Sequence, residues 1–166
     1  MAYDALAESV RLISLGPPLT FAALSRRHRF APLAVDVDGD IAATRFLRRG
    51  VACWWDDIHL LSRTGDGRWT LHGGGGGSHS PDDFTARDNL APDALAIEGG
   101  ASVAAAQWLH SATLLAGPAL TTIRVGGRRD LTVPSHGRLV VVWAGDVGPS
   151  LSAHGPDGRA LATATL

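Results

Sequence analysis

Leu6, Val10 and Ile13 recur at helical spacing between Tyr3 and Leu15, and Gly16, Pro17 and Pro18 end the pattern abruptly. That spacing predicts one short amphipathic helix. Beyond an irregular stretch the period changes from helix to strand. Leu33, Val35 and Val37, then Ile41 and Ala43, alternate on either side of Asp38, Gly39 and Asp40. A three-residue loop there opposes Val37 with Ile41 and Val35 with Ala43, which predicts an odd, bulged hairpin. A second hairpin is signalled by Ala52 to Arg63 and Arg68 to His72 around Thr64, Gly65, Asp66 and Gly67. With a two-residue turn, Trp54, Ile58, Leu60, Trp69 and Leu71 share the buried face, while Asp57, His59 and His72 collect on the other.

Gly73 to Gly77, followed by Ser78, His79 and Ser80, then break all periodicity and run into Asp82, Asp83, Asp88, Asp93 and Glu98. Strands are predicted again over Ser102 to His110, Leu120 to Val125, Arg129 to Val133, Arg138 to Trp143, Leu151 to His154 and Arg159 to Thr165, with Gly and Pro between them. A three-residue loop Gly126 to Arg128 pairs Ile123 with Leu131 and Arg124 with Asp130. Ser102 to Leu115 is rich enough in alanine to suit a buried helix equally well. The fold class is therefore mainly β: antiparallel sheets, as a β-sandwich or two small packed β modules, with one short N-terminal helix. Residues 1–76 form a helix-plus-hairpin module, 77–100 a Gly-rich and acidic connecting loop, and 101–166 a sandwich-like module that packs on the first as one globular unit. A connection of that length and composition is expected to be mobile until a partner orders it.

Composition narrows the chemistry. The 166 residues are 45% hydrophobic, enough to fill a core. The longest strongly apolar run, Leu139 to Ala144, is far short of a membrane span, and acids at Asp4 and Glu8 do not fit a secretory leader. A lone Cys53 rules out an intramolecular disulfide and any multi-cysteine metal site, so the expectation is a cytoplasmic protein in a reducing compartment. All 15 basic residues are Arg, which excludes a lysine Schiff base and a lysine-dependent phosphate loop. A net charge of −1 argues against nucleic acid as the main partner. Local basic clusters nevertheless exist at Arg26, Arg27, His28 and Arg29 and at Arg45, Arg48 and Arg49. Asp36, Asp38 and Asp40 between them are expected to pair with these arginines.

The motifs are incomplete. Asp36, Asp38 and Asp40 imitate the start of a calcium loop, but Gly39 comes two places too early and the distal Glu is missing. His72 before the glycines has the outline of an oxyanion loop, yet the sequence contains no Gly-x-Ser-x-Gly elbow to match it. Asp57, His59 and His72 are the best catalytic candidates, because one strand face would bring carboxylate and imidazole together. Trp55, His79, Asp82 and Asp83 complete the candidate binding face. Two-residue spacing along a strand separates side chains by roughly 7 Å, and outer sheet faces are ordinarily polar, so no metal and no cofactor is expected. The leading expectation is a non-enzymatic β scaffold that binds a protein partner or small ligand through loops or an exposed sheet face, with a homodimer compatible. The alternatives are a small metal-dependent or acid/base hydrolase on the Asp57 face, and polyanion binding through the Arg clusters.

Overall fold

The structure, a computed structural model, describes residues 3–20, 23–84 and 89–166, and the side chains of Asp82 and Asp83 lie outside the described set. Helix α1 (Ala5–Leu15) is capped at its start by the Asp4 carboxylate, which accepts from the Ala7 N–H at 3.0 Å. Gly16, with φ 79°, ends it by donating to the Leu12 carbonyl at 2.9 Å. The buried side of the helix centres on Ser9 and Leu12, whereas Leu6 is exposed. Ser9 can turn inward because its hydroxyl meets that of Thr44 at 2.7 Å.

The protein is mainly β, with three antiparallel sheets. The first is a meander of β1 (Phe30–Asp38), β2 (Ile41–Arg49), β3 (Trp54–Arg63) and β4 (Trp69–His79). A single helical turn, α2 (Pro81–Phe84), follows. The second sheet joins β5 (Leu95–Ala104) and β6 (Trp108–Ala116) to β9 (Arg138–Ala144). The third runs β11 (Ala160–Thr165), β10 (Ser150–His154), β7 (Thr122–Val125), β8 (Arg129–Thr132).

The sheets form layers. Ala34, Ile41, Ala43, Ile58 and Leu60 of the first sheet pack on Leu109, Val140 and Val142 of the second. On its other side the second sheet offers Leu114, Leu139 and Val141 to Ile123, Val125, Leu151 and Ala153 of the third. Strand β9 is thus buried on both faces, which is why Leu139 to Trp143 is apolar without alternation. Helix α1 covers the outer face of the first sheet through Leu12, Val35 and Phe46.

Four expectations are corrected. The first hairpin turns through two residues, Gly39 and Asp40, so that Asp38 opposes Ile41, Val37 opposes Ala42 and Asp36 opposes Ala43. Gly39 takes the left-handed conformation this turn needs, at φ 62°. Asp36 is thereby carried into the interior, where an alternation rule cannot place a carboxylate. The second hairpin has a three-residue loop instead, with Thr64 N–H bonded to the Arg68 carbonyl at 2.9 Å and Arg63 opposite Trp69. The odd loop moves Trp69 and Leu71 to the face of Asp57 and His59.

The third correction concerns the glycine run, which is no loop. Gly73 to Gly77 continue β4 and pair residue by residue with Leu60 to Asp56. A side chain is excluded at Gly74, where a Cβ would fall 1.7 Å from the Ile58 carbonyl oxygen, and crowded at Gly75, where it would sit 3.0 Å from the Ala101 Cβ of β5. The proposed 77–100 connection is accordingly strand at both ends. Fourth, Ser102 to His110 is not one strand, because the chain reverses at residues 105–107 between β5 and β6. The β7–β8 hairpin is as expected, with Ile123 opposite Leu131 and Arg124 opposite Asp130.

Candidate functional site

Asp57 and His59 project from the outer face of β3, beneath the start of α1, and are not a solvated surface. The Tyr3 hydroxyl lies 2.6 Å from His59 Nε2, and the Arg48 guanidinium pairs with Asp57 and stands 5.1 Å from the centre of the Tyr3 ring. Burial pushes the His59 pKa below its ordinary value, only partly opposed by Asp57, and burial together with Asp57 raises that of Tyr3. The phenol and the imidazole are thereby joined as uncharged partners at neutral pH. His72 does not join them. It occupies the bulge opposite Leu60 and Leu61 and bonds to Ser62 Oγ at 2.7 Å, on the other face of the hairpin. Asp57, His59 and His72 cannot close on one metal ion or one substrate. Trp55, on the Asp57 side, is 44% exposed opposite Ser78.

His79 lies across β3 from Trp54, with Nε2 3.9 Å from the Asp56 carboxylate. Behind it stands an ionic knot. Arg45, 1% exposed, contacts Asp56 at 2.5 Å and Glu98 at 2.7 Å through Nη2, while Nη1 donates to the Leu139 and Leu114 carbonyls. Arg138 completes the chain with Glu98 at 2.7 Å and the Phe84 carbonyl at 2.7 Å. Burial raises the Glu98 pKa, but Arg45 and Arg138 outweigh it and hold the carboxyl below its ordinary range. Two cations and two anions satisfy one another here, which binds the first sheet to the second. Asp82 and Asp83 as binding residues fall outside the described side chains.

A cavity of small-molecule size lies elsewhere, between α1 and the segment entering β1. It has a volume of about 620 Å³, within the usual range for small-molecule sites of roughly 300–1,000 Å³. Its apolar lining consists of Leu12 and Phe46, both buried, the half-buried Pro18, Phe30 and Pro32, and the exposed Leu15 and Pro17. Its rim is basic, with Arg11, Arg26, Arg27, His28 and Arg29 against a single acid, Glu8, among the described residues. Local bonding positions that rim. The Ser25 hydroxyl accepts from the N–H groups of Arg27 and His28 at 3.2 and 3.0 Å, and the Arg29 carbonyl accepts from Arg49 N–H at 2.7 Å. The segment is thereby fixed to the end of β2 with its arginines exposed.

Arg11 of this rim lies 3.9 Å from Glu8, but the charge of Arg26, Arg27 and Arg29 is not neutralised by any acid among the described residues. Asp36 and Asp38 pair with Arg129, at 2.7 and 2.8 Å, and Asp40 pairs with Arg63 at 2.8 Å. Contrary to expectation, none of these acids reaches the Arg26–Arg29 cluster, and among the described residues Arg26, Arg27 and Arg29 have no acidic partner.

No protein family matches the chain, and neither does any curated protein or solved structure. The functional reading therefore rests on the cavity's own chemistry. The guanidinium groups of Arg26, Arg27 and Arg29, which have no acidic partner among the described residues, present forked donors that suit carboxylate, sulfonate or phosphate oxygens. The proline, leucine and phenylalanine lining suits hydrocarbon. The sequence shows the Arg cluster but not the apolar half of the site, because Leu12, Phe30 and Phe46 come from three separate elements.

Proposed function

We propose that this protein is a non-enzymatic β scaffold that binds a small organic anion with an apolar body in the cavity beneath α1. The observation carrying this reading is the combination, in one cavity of about 620 Å³, of an apolar lining and arginines with no acidic partner among the described residues. Each methylene buried against this lining contributes about 0.8 kcal/mol, and the guanidinium rim selects the head group. The reading also explains a near-neutral protein with a local basic cluster: the cluster need neutralise only one anion, not a polyanion backbone.

A fluorescent probe of the same chemistry, 8-anilinonaphthalene-1-sulfonate, tests the reading when displaced by decanoate. The native protein should bind the probe and release it to decanoate. The triple variant Arg26→Gln/Arg27→Gln/Arg29→Gln, whose substitutions lie on exposed positions outside the sheets, should bind both at least tenfold more weakly. Equal binding by the variant, or no binding by the native protein, contradicts the reading.

A further inference from the structure

At the opposite side of the molecule from α1, three rings stand in a stack on the second sheet. Trp108 and His110 alternate along β6, with ring centres 6.3 Å apart and planes 20° from parallel, and Trp143 of β9, paired with His110, lies 5.4 Å further on at 21°. Trp143 is packed against the core between the second and third sheets. Trp108, at the open end, is 54% exposed. The stack is held in place by the sheet and by Ser102, whose hydroxyl lies 2.7 Å from His110 Nδ1 across the β5–β6 ladder. An indole fixed in this way and left open on its outer side is a preformed platform, with little side-chain entropy to lose when a ring packs on it.

Two turns meet at this platform. Residues 105–107 precede Trp108, and Gly145 donates its N–H to the Trp108 carbonyl at 3.2 Å, bringing the β9–β10 turn alongside. These turns present Gln107 and Asp146, both exposed and neither engaged by another side chain among the described residues. A carboxylate and a primary amide supply acceptors and donors for hydroxyl groups, while an unpaired carboxylate repels a phosphate or a second acid. We infer that Trp108, with Gln107 and Asp146, forms a binding site for a neutral saccharide, whose C–H face packs on the indole and whose hydroxyls bond to the two turns. This site shares no residue with the cavity beneath α1 and stands independently of it.

The test titrates the full chain with cellotetraose and separately with adenosine monophosphate, following tryptophan emission and backbone amide shifts. Cellotetraose should perturb Trp108 and the amides of residues 106–108 and 145–147. Trp108→Ala should weaken it at least tenfold and Asp146→Ala at least threefold, with far-ultraviolet circular dichroism unchanged for Asp146→Ala, which lies outside every strand. Adenosine monophosphate should not bind there. Absence of any saccharide effect, retention of binding in both variants, tighter binding of the nucleotide, or a dimer that Trp108→Ala dissociates in sedimentation would each overturn the inference.

Discussion

Asp36 and Arg129, 93 positions apart in the chain, together close the free edge of β9 at Val142. Arg129 reaches the Asp36 carboxylate by two bonds, at 2.9 and 2.7 Å, and donates to the Val142 carbonyl at 2.6 Å, while Asp36 accepts from the Val142 N–H at 2.8 Å. Both backbone groups that β9 turns outward at Val142 are thus satisfied by one ion pair. The pair also ties β1 of the first sheet to β8 of the third. Asp36→Ala leaves Arg129 without its main partner and Val142 N–H unbonded in the interior. Removing one member of a buried pair costs about 3–5 kcal/mol. Urea unfolding should show a loss of that size, and a loss below about 1 kcal/mol would mean the edge is closed by other groups.

His59 gives stability a defined pH dependence. Its folded-state pKa is lowered, with burial the main cause. The unfolded chain therefore takes up a proton near the ordinary histidine value before the folded protein does, and stability rises with pH across that interval. Stability should be complete above about pH 7 and decline as the pH falls below about 6.5. In His59→Phe the component of the slope between pH 7 and 5 that is due to this residue should vanish. Thermal melts at intervals across that range measure it, and an unchanged slope in the variant would show that His59 is not the group responsible.

The glycine run offers a position-specific contrast. A Cβ at Gly74 would overlap the Ile58 carbonyl oxygen, whereas one at Gly77 meets nothing nearer than His79 Nε2 at 3.8 Å. Gly74→Ala should destabilise by about 3 kcal/mol or more, because a backbone atom must move. Gly77→Ala should fall within about 0.5 kcal/mol of the native protein. Comparable losses at both positions would show that the run is glycine for another reason.

What the sequence made legible follows from how local each signal is. The end of α1 at Gly16, Pro17 and Pro18 is set by backbone chemistry within three residues, and the β7–β8 register is set by two agreeing pairs, Ile123 with Leu131 and Arg124 with Asp130. The β3–β4 register was not legible, since Thr64 to Gly67 permits loops of either parity and one residue moves Trp69 to the opposite face. Gly73 to Gly77 carries no hydrophobic alternation, and its strand character comes from close approach to β3 and β5. Half of the candidate site was visible as the Arg26–Arg29 cluster. Its unpaired charge was not, because the nearest acids in sequence, Asp36, Asp38 and Asp40, are taken by Arg129 and Arg63 from distant segments or the far end of the hairpin.

The most direct measurement of the proposed function is a calorimetric titration of the native chain, at low ionic strength, with decanoate and with decyltrimethylammonium. The two share a hydrocarbon tail and differ in the sign of the head group. Decanoate should bind with one-to-one stoichiometry, at least tenfold more tightly than the cation, and should weaken as salt is added, because exposed guanidinium groups are screened within about 10 Å at 0.1 M salt. Equal affinities for the two ligands, or binding of neither, would contradict the assignment of the α1 cavity as a site for an apolar organic anion.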